Sequence, residues 1–177
     1  HGHHRRQRQM CIRDSFRHSG LLVMIRPRAG DFVYSAQEVD QMMCSIEVAN
    51  RAGADGVVFG ALDDMMGEID HKTTAALTQI ATTNGLQVTF HRAIDATRDS
   101  VEAVDILRYL GVHRVLSSGT SWDSAKPAQE GVETLARMAT RAAGQIEIVI
   151  AGGISEWSVA RVLKSIPGQK SAISVHA

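Results

Sequence analysis

The chain has 177 residues, of which 44% are hydrophobic and 21% charged, and this supplies enough apolar material for one substantial core. Nineteen basic residues balance nineteen acidic ones, so there is no net charge to recruit nucleic acid or an anionic membrane surface. Because no apolar run reaches the roughly 18 residues of a membrane helix and two cysteines make no disulfide framework, we expect a cytoplasmic protein without nucleic-acid or membrane partners.

The first residues differ in character from the rest of the chain. Residues 1–18 are basic and polar and show no hydrophobic period, which predicts a disordered or non-native leader. Its His1, His3 and His4 could bind a metal weakly, although a tag-like segment is the favoured interpretation. The folded domain is therefore expected over residues 19–177.

From Leu21 onward, short apolar strands alternate with amphipathic helices. Ser35 and Glu38 have the spacing of a capping box and predict the start of the first helix. Asp99 and Glu102 give a similar signal later in the chain. The predicted strands are Leu21–Arg26, Gly56–Leu62, Gln87–His91, Arg114–Ser117, Glu147–Ala151 and Ala172–His176. The predicted helices end near Arg51, Thr83, Leu110, Ala143 and Ser165.

This alternation predicts an α/β protein with a parallel sheet and right-handed crossovers. The length favours an open, doubly wound sheet, because a complete eight-fold barrel needs about 250 residues. The distribution of polar residues favours a barrel, because they accumulate at the ends of several strands and no glycine-rich nucleotide-binding motif follows the first strand.

The stretch QVTFHRAID, residues 87–95, carries the strongest functional signal. Side chains alternate along a strand, so Val88 and Phe90 share the apolar face while Thr89 and His91 share the other. The same parity places further polar side chains on the inner face, near the carboxyl ends where α/β folds locate their sites. They are Arg26, Ser117 or Ser118, Ser174 and His176. Arg26 and His91, with Asp95 nearby, are the predicted catalytic residues.

Two other segments suggest ligand binding. Gly152 and Gly153 lie between a strand and a helix, where exposed backbone amides could hold a phosphate or carboxylate, although a tight turn also needs such glycines. Copper(I) would prefer thiolate and thioether ligands, for which the weak candidates are Cys44, Met65 and Met66. Helical periodicity makes Cys44 a lone thiol, and neither methionine has a cysteine or histidine at ligand spacing.

Several motifs taken together resemble the CutC family of copper homeostasis proteins. They are VMIRPRAGDFVYS, VTFHRAID, RVLSSG, AGGI and VHA, in this order from about Leu21 to the end of the chain. The resemblance implies an incomplete TIM barrel of the (β/α)8 type, with Leu21 opening the third barrel strand and His176 in the eighth. It also implies that the first two strands and the last helix of the family fold are lacking.

The resemblance further implies site residues and a function. The family's barrel-mouth positions fall on Arg26, Arg28, Asp31, Phe59, Gly60, His91, Arg92, Asp95, Ser117, Ser118, Gly119, Gly152, Gly153 and His176. The implied function is copper(I) binding or handling in the cytoplasm. The alternative is a TIM-barrel enzyme or binder acting on a small phosphorylated or carboxylated ligand, with His91 as general acid or base. Exposed sheet edges also make a homo-oligomer an expected possibility.

Overall fold

The computed structural model describes residues 20–64, 67–166 and 173–176, and these form six strands alternating with five α-helices. The strands are β1 (Leu22–Met24), β2 (Gly56–Phe59), β3 (Gln87–Phe90), β4 (Arg114–Ser117), β5 (Glu147–Ala151) and β6 (Ile173–His176). The helices are α1 (Ala36–Arg51), α2 (His71–Thr83), α3 (Ser100–Tyr109), α4 (Val132–Ala142) and α5 (Glu156–Ser165). The predicted order of elements is confirmed.

All six strands are parallel, and their order in the sheet is their order in the chain. A doubly wound sheet reverses its strand order at a switch point, whereas a barrel adds each strand beside the previous one. The sheet is therefore of the barrel type, and the doubly wound strand order that length alone favours is wrong. Among the described strands β1 and β6 do not pair, so the sheet is open. Association with a second copy through these edges stays a prediction.

The first three helices begin where capping side chains accept hydrogen bonds from free backbone amides. The Ser35 side chain accepts from Glu38 N while Glu38 accepts from Ser35 N, so the predicted capping box is confirmed. Asp70 and Asp99 cap α2 and α3 in the same manner. The sequence predicts the fourth helix from about Ala128, but α4 begins at Val132, because a 3-10 turn at Ala128–Glu130 precedes it.

The strands separate a helix-facing side from an inner side, as the alternation predicts. The helix-facing residues Val57, Phe59, Val88 and Phe90 are fully buried against the helices. On the inner side, Arg114 bonds Glu147 at 2.7 Å and Gln87 at 2.7 Å, a polar row at the amino ends of the strands. The polar residues at the opposite, carboxyl ends are thereby left to form a separate site.

Within the described segments, no helix is both long and apolar enough to cross a membrane. The leader predicted at residues 1–18 lies outside those segments, and so do Met65, Met66 and the final Ala177.

Candidate functional site

The loop after β1 is held by Arg28. Its guanidinium donates to Glu38 at 2.6 Å, to Asp31 at 2.9 Å and to the carbonyl of Val33 at 2.6 Å. The hydrogen bonds with Arg28 lower the pKa of Asp31, and those with the Ser35 backbone and with Arg28 lower the pKa of Glu38. These contacts fasten the loop to the start of α1 and account for Arg28 and Asp31 without a ligand. The binding role predicted for them stays a prediction.

Arg26 is exposed at the end of β1 and leans over an aromatic ring. Its Nη2 donates to the carbonyl of Gly30 at 2.8 Å, and its guanidinium carbon lies 4.9 Å from the centre of the Phe32 ring. The other neighbours of that ring are His91, at 5.0 Å between centroids, and Trp122, at 5.4 Å. Phe32 thus connects Arg26 with the strand end that carries His91.

His91 follows β3 and is buried, with 8% of its surface exposed. Its Nδ1 accepts a hydrogen bond from the backbone N–H of Ala93 at 3.1 Å. Because that backbone group can only donate, Nδ1 carries no proton and the neutral ring is protonated on Nε2. Burial, and then the charge of Arg26, lower the pKa of His91 from 6.5 to about 4. His91 is therefore a neutral hydrogen-bond donor near pH 7.

The Nε2–H of His91 has no hydrogen-bond partner in the described part of the chain. A buried donor without a partner costs about 1–3 kcal/mol. Five buried side-chain atoms lack a partner among the described residues, on Tyr34, Thr74, Thr78, Thr89 and His91. His91 is the one that follows a strand at its carboxyl end, which makes its Nε2–H a candidate ligand contact. Gly60 makes room for the ring, since a Cβ there would lie 2.5 Å from His91 Cε1. The backbone just after β2 and the imidazole consequently fit together only with glycine at this position.

Asp95 lies in a 3-10 turn, Arg92–Ala96, and its side chain is fully buried. It accepts from Arg92 Nε at 2.9 Å, from Ser118 N at 3.1 Å, from Ser118 Oγ at 3.0 Å and from the Ser117 hydroxyl. The bond with Arg92 lies within the turn, and the three bonds with Ser117 and Ser118 join the turn after β3 to the end of β4. This geometry makes Asp95 a positioning residue, and the catalytic role predicted for it stays a prediction.

Both serines of the predicted pair take part in this network. Ser117 lies on the helix-facing side of β4, and its hydroxyl also accepts from Gly119 N at 2.9 Å. Ser118 has the inner position, and its hydroxyl accepts from Arg92 Nη2 at 3.0 Å. Both side chains are fully buried and hydrogen-bonded to Asp95, so of the two predicted possibilities Ser118 is the inner one.

Beside Arg92 a cleft of about 380 Å³ opens between the loop after β4 and the turn after β5. Its lining consists of Arg92, Trp122, Ala125, Lys126, Pro127, Gly152 and Gly153. Sequence reasoning missed Trp122 and Lys126; the available signal was a tryptophan within a polar loop that follows a strand. A larger groove of about 640 Å³ lies between α3 and α4, away from the strand ends.

Among the described residues, the histidine, cysteine and acidic side chains supply no three-ligand metal site. Cys44 is a free thiol exposed on α1. Across residues 20–64, 67–166 and 173–176, no three His, Cys, Asp or Glu side chains are close enough to hold a metal. Nδ1 of His91 is occupied by Ala93, and His176 is exposed at the end of β6.

Sequential parallel strands with polar side chains at their carboxyl ends define a barrel-type α/β protein. The CutC family model matches residues 12–174, and the chain belongs to the CutC family. This match begins inside the predicted leader. Among curated relatives, a CutC family protein from Xylella fastidiosa (strain 9a5c) is 43% identical over 142 residues, covering 80% of this chain and 51% of its own length. The human copper homeostasis protein cutC homolog is 42% identical over 144 residues, with coverages of 81% and 50%.

The solved structures agree on the fold. The crystal structure of CutC from Streptococcus agalactiae has a TM-score of 0.78 and 27% identity, covering 93% of this chain and 78% of that one. Deoxyribose phosphate aldolase from Aeropyrum pernix has a TM-score of 0.63 with 15% identity, covering 92% of this chain and 66% of the aldolase, a likeness of fold alone. The chain spans about half the length of the curated relatives it matches.

Proposed function

We propose that the carboxyl ends of the strands bind a small phosphorylated or carboxylated ligand, as an enzyme or as a binding protein. The observation that carries this proposal is the buried Nε2–H of His91, which has no partner among the described residues. A donor of this kind matches a carbonyl, carboxylate or phosphate oxygen. Arg26 is exposed and contacts the same Phe32 ring as His91, so it supplies positive charge to this region.

The protonation state of His91 limits the chemical role that its side chain can have. A pKa of about 4 leaves almost no imidazolium near pH 7, and Nδ1 is held by Ala93. A neutral Nε2–H can donate to a ligand oxygen and stabilise negative charge on it. General acid–base catalysis is most efficient when the group's pKa lies near the working pH, so donation is the role that this environment favours.

Replacing His91 by asparagine tests the proposal. Asparagine is a good N-cap and can keep the bond to Ala93 N, while it removes the Nε2–H. We expect at least 10-fold weaker binding of the ligand, because a hydrogen bond to a charged group contributes about 1.5–3 kcal/mol. The measurement is a thermal-shift screen with small phosphorylated and carboxylated metabolites, followed by titration calorimetry of any compound that stabilises the protein.

His113→Asn is the matched control. His113 Nδ1 also accepts a backbone N–H, from Val88 at 2.9 Å, but it lies at the amino end of β4. We expect this variant to bind as the unsubstituted chain does. The proposal fails if no compound stabilises the protein, or if His91→Asn and His113→Asn bind equally well.

Copper(I) handling is the function that the names of the relatives imply, and it is testable on this chain. The thiol of Cys44 and the thioether of Met65 are the soft ligands in question. We expect Cys44→Ser and Met65→Leu to leave the copper(I) stoichiometry unchanged in an anaerobic titration with a competing chromophoric chelator. Loss of one equivalent in either variant would identify a ligand and favour the copper function.

A further inference from the structure

The cleft beside Arg92 has the donors of a phosphate site. Building on the proposed function, we propose that this cleft holds the phosphate group of the ligand, while His91 contacts another part of it. The residues that carry the inference are Arg92, Lys126, Gly152 and Gly153, all of which line the cleft.

Arg92 is fixed with one edge of its guanidinium free. Nε donates to Asp95 at 2.9 Å, and Nη2 donates one hydrogen to Ser118 Oγ at 3.0 Å. Of its five N–H groups, the two on Nη1 and the second on Nη2 have no partner in the described part of the chain. These groups form the end of the guanidinium fork, which bonds two oxygens of a phosphate in parallel.

The glycine turn brings backbone donors to the same place. A Cβ on Gly152 would lie 3.0 Å from Arg92 Nη1, so glycine lets the main chain approach the guanidinium closely. Gly152 and Gly153 have φ angles of +106° and +66°, which disfavour other residues. The backbone amides of Gly153 and Ile154 donate to no other residue in the described segments.

The loop after β4 forms the opposite wall of the cleft. It contributes a second cation, Lys126, and is hydrogen-bonded to the glycine turn. Ala128 N donates to the carbonyl of Gly152 at 3.0 Å, which holds the loop carrying Lys126 against the turn. Lys126 is 59% exposed, and its ammonium lies 3.4 Å from Glu130, an exposed pair of the kind that contributes little to stability. A dianion in the cleft can therefore compete with Glu130 for this ammonium.

These donors fit a phosphate better than a carboxylate. They come from three segments of chain: the turn after β3, the loop after β4 and the turn after β5. A phosphate offers three terminal oxygens in a tetrahedral arrangement, whereas a carboxylate offers two in one plane. The carboxylate of Asp95 does not oppose the ligand, because it is fully buried and bonded to the other edge of the guanidinium.

The test is titration calorimetry of the full chain with inorganic phosphate, ribose 5-phosphate and acetate. We expect both phosphates to bind, acetate to bind at least 10-fold more weakly, and affinity to fall as salt is raised. Arg92→Lys should weaken phosphate binding about 10-fold or more, because lysine lacks the fork and its amine would pair with Asp95. If ribose 5-phosphate binds more tightly than inorganic phosphate, the cleft is assigned to a phosphate ester. If the two bind with equal affinity, it is assigned to inorganic phosphate.

Two further variants separate binding from folding. Lys126→Gln changes an exposed side chain and should weaken phosphate binding at least threefold, whereas Lys164→Gln, on the exposed last turn of α5, should not. His91→Asn should leave inorganic phosphate binding within twofold. Two outcomes would contradict the phosphate site. One is that no phosphate binds; the other is that Arg92→Lys and Lys126→Gln bind phosphate as tightly as the unsubstituted chain does. If a metabolite binds and only His91→Asn weakens its binding, the proposed function holds but the phosphate site in the cleft does not.

Discussion

Replacing Asp95 by alanine is expected to lower the free energy of unfolding by about 3–5 kcal/mol, the usual cost of removing one partner of a buried ion pair. The carboxylate has no exposed surface and accepts four hydrogen bonds from Arg92, Ser117 and Ser118. Its removal leaves these donors unpaired in the interior and opens a cavity between the turn after β3 and β4. Urea unfolding followed by circular dichroism measures the change.

Asp95→Asn separates the hydrogen bonds from the charge. The amide oxygen can still accept from Arg92 and Ser118, and the amide nitrogen can donate to the Ser117 hydroxyl. We expect a loss of about 1–2 kcal/mol, since the geometry is kept while the bonds to a charged acceptor weaken. Asp123→Ala, a change at an exposed acid in the loop after β4, should stay within about 0.5 kcal/mol. Equal stability of Asp95→Ala and the unsubstituted chain would contradict the positioning role.

The elements were predictable because local patterns determine them. The capping box at Ser35 and Glu38 is a property of neighbouring residues, and it was confirmed. Along β3, Val88 and Phe90 of the predicted apolar face are buried, and Thr89 of the other face is buried as well. Helical periodicity does not by itself decide which of two adjacent apolar residues faces the core, and on α1 the structure buries Ala49 while Val48 is 55% exposed.

The location of the candidate site could be predicted from the sequence, but the hydrogen bonds between its residues could not. Strand parity placed His91 and Arg26 at the carboxyl ends, and in the structure both contact the ring of Phe32. Parity could not show that Asp95 bonds Ser118, because the two are separated by 23 residues and meet only through a 3-10 turn. Sequence spacing suggested that His91 and Asp95 work together, whereas the turn directs Asp95 to β4.

The cleft beside Arg92 was missed in part for the same reason. The glycine pair is predicted from sequence as a possible anion cradle, but the residues that face it across the cleft lie in the loop before Ala128, which carries no periodic signal. The contact between Ala128 N and the Gly152 carbonyl brings that loop to the glycines. Contacts between loops depend on how the strands that carry them are ordered, and that order is a property of the whole sheet.

The buried, neutral His91 should also make the protein less stable in mild acid. Its pKa is about 4 in the folded chain and close to 6.5 when unfolded, so the unfolded state binds more protons between these values. The contribution of His91 to stability is therefore complete above about pH 6.5 and is lost as the pH falls toward 4. At 1.36 kcal/mol per pH unit the full difference is about 3 kcal/mol, of which about 2 kcal/mol falls between about pH 7 and pH 4.5.

Urea unfolding of the unsubstituted chain and of His91→Asn at several pH values in this window measures the effect. We expect the unsubstituted chain to lose about 2 kcal/mol more than His91→Asn does, because asparagine does not titrate. His113→Asn is the control for the other histidine whose pKa burial lowers, and it should remove a smaller part of the slope, because His113 is more exposed. Parallel pH profiles for the unsubstituted chain and His91→Asn would show that His91 is protonated as readily in the folded chain as in the unfolded one. That result would remove the basis for its role as a neutral Nε2–H donor.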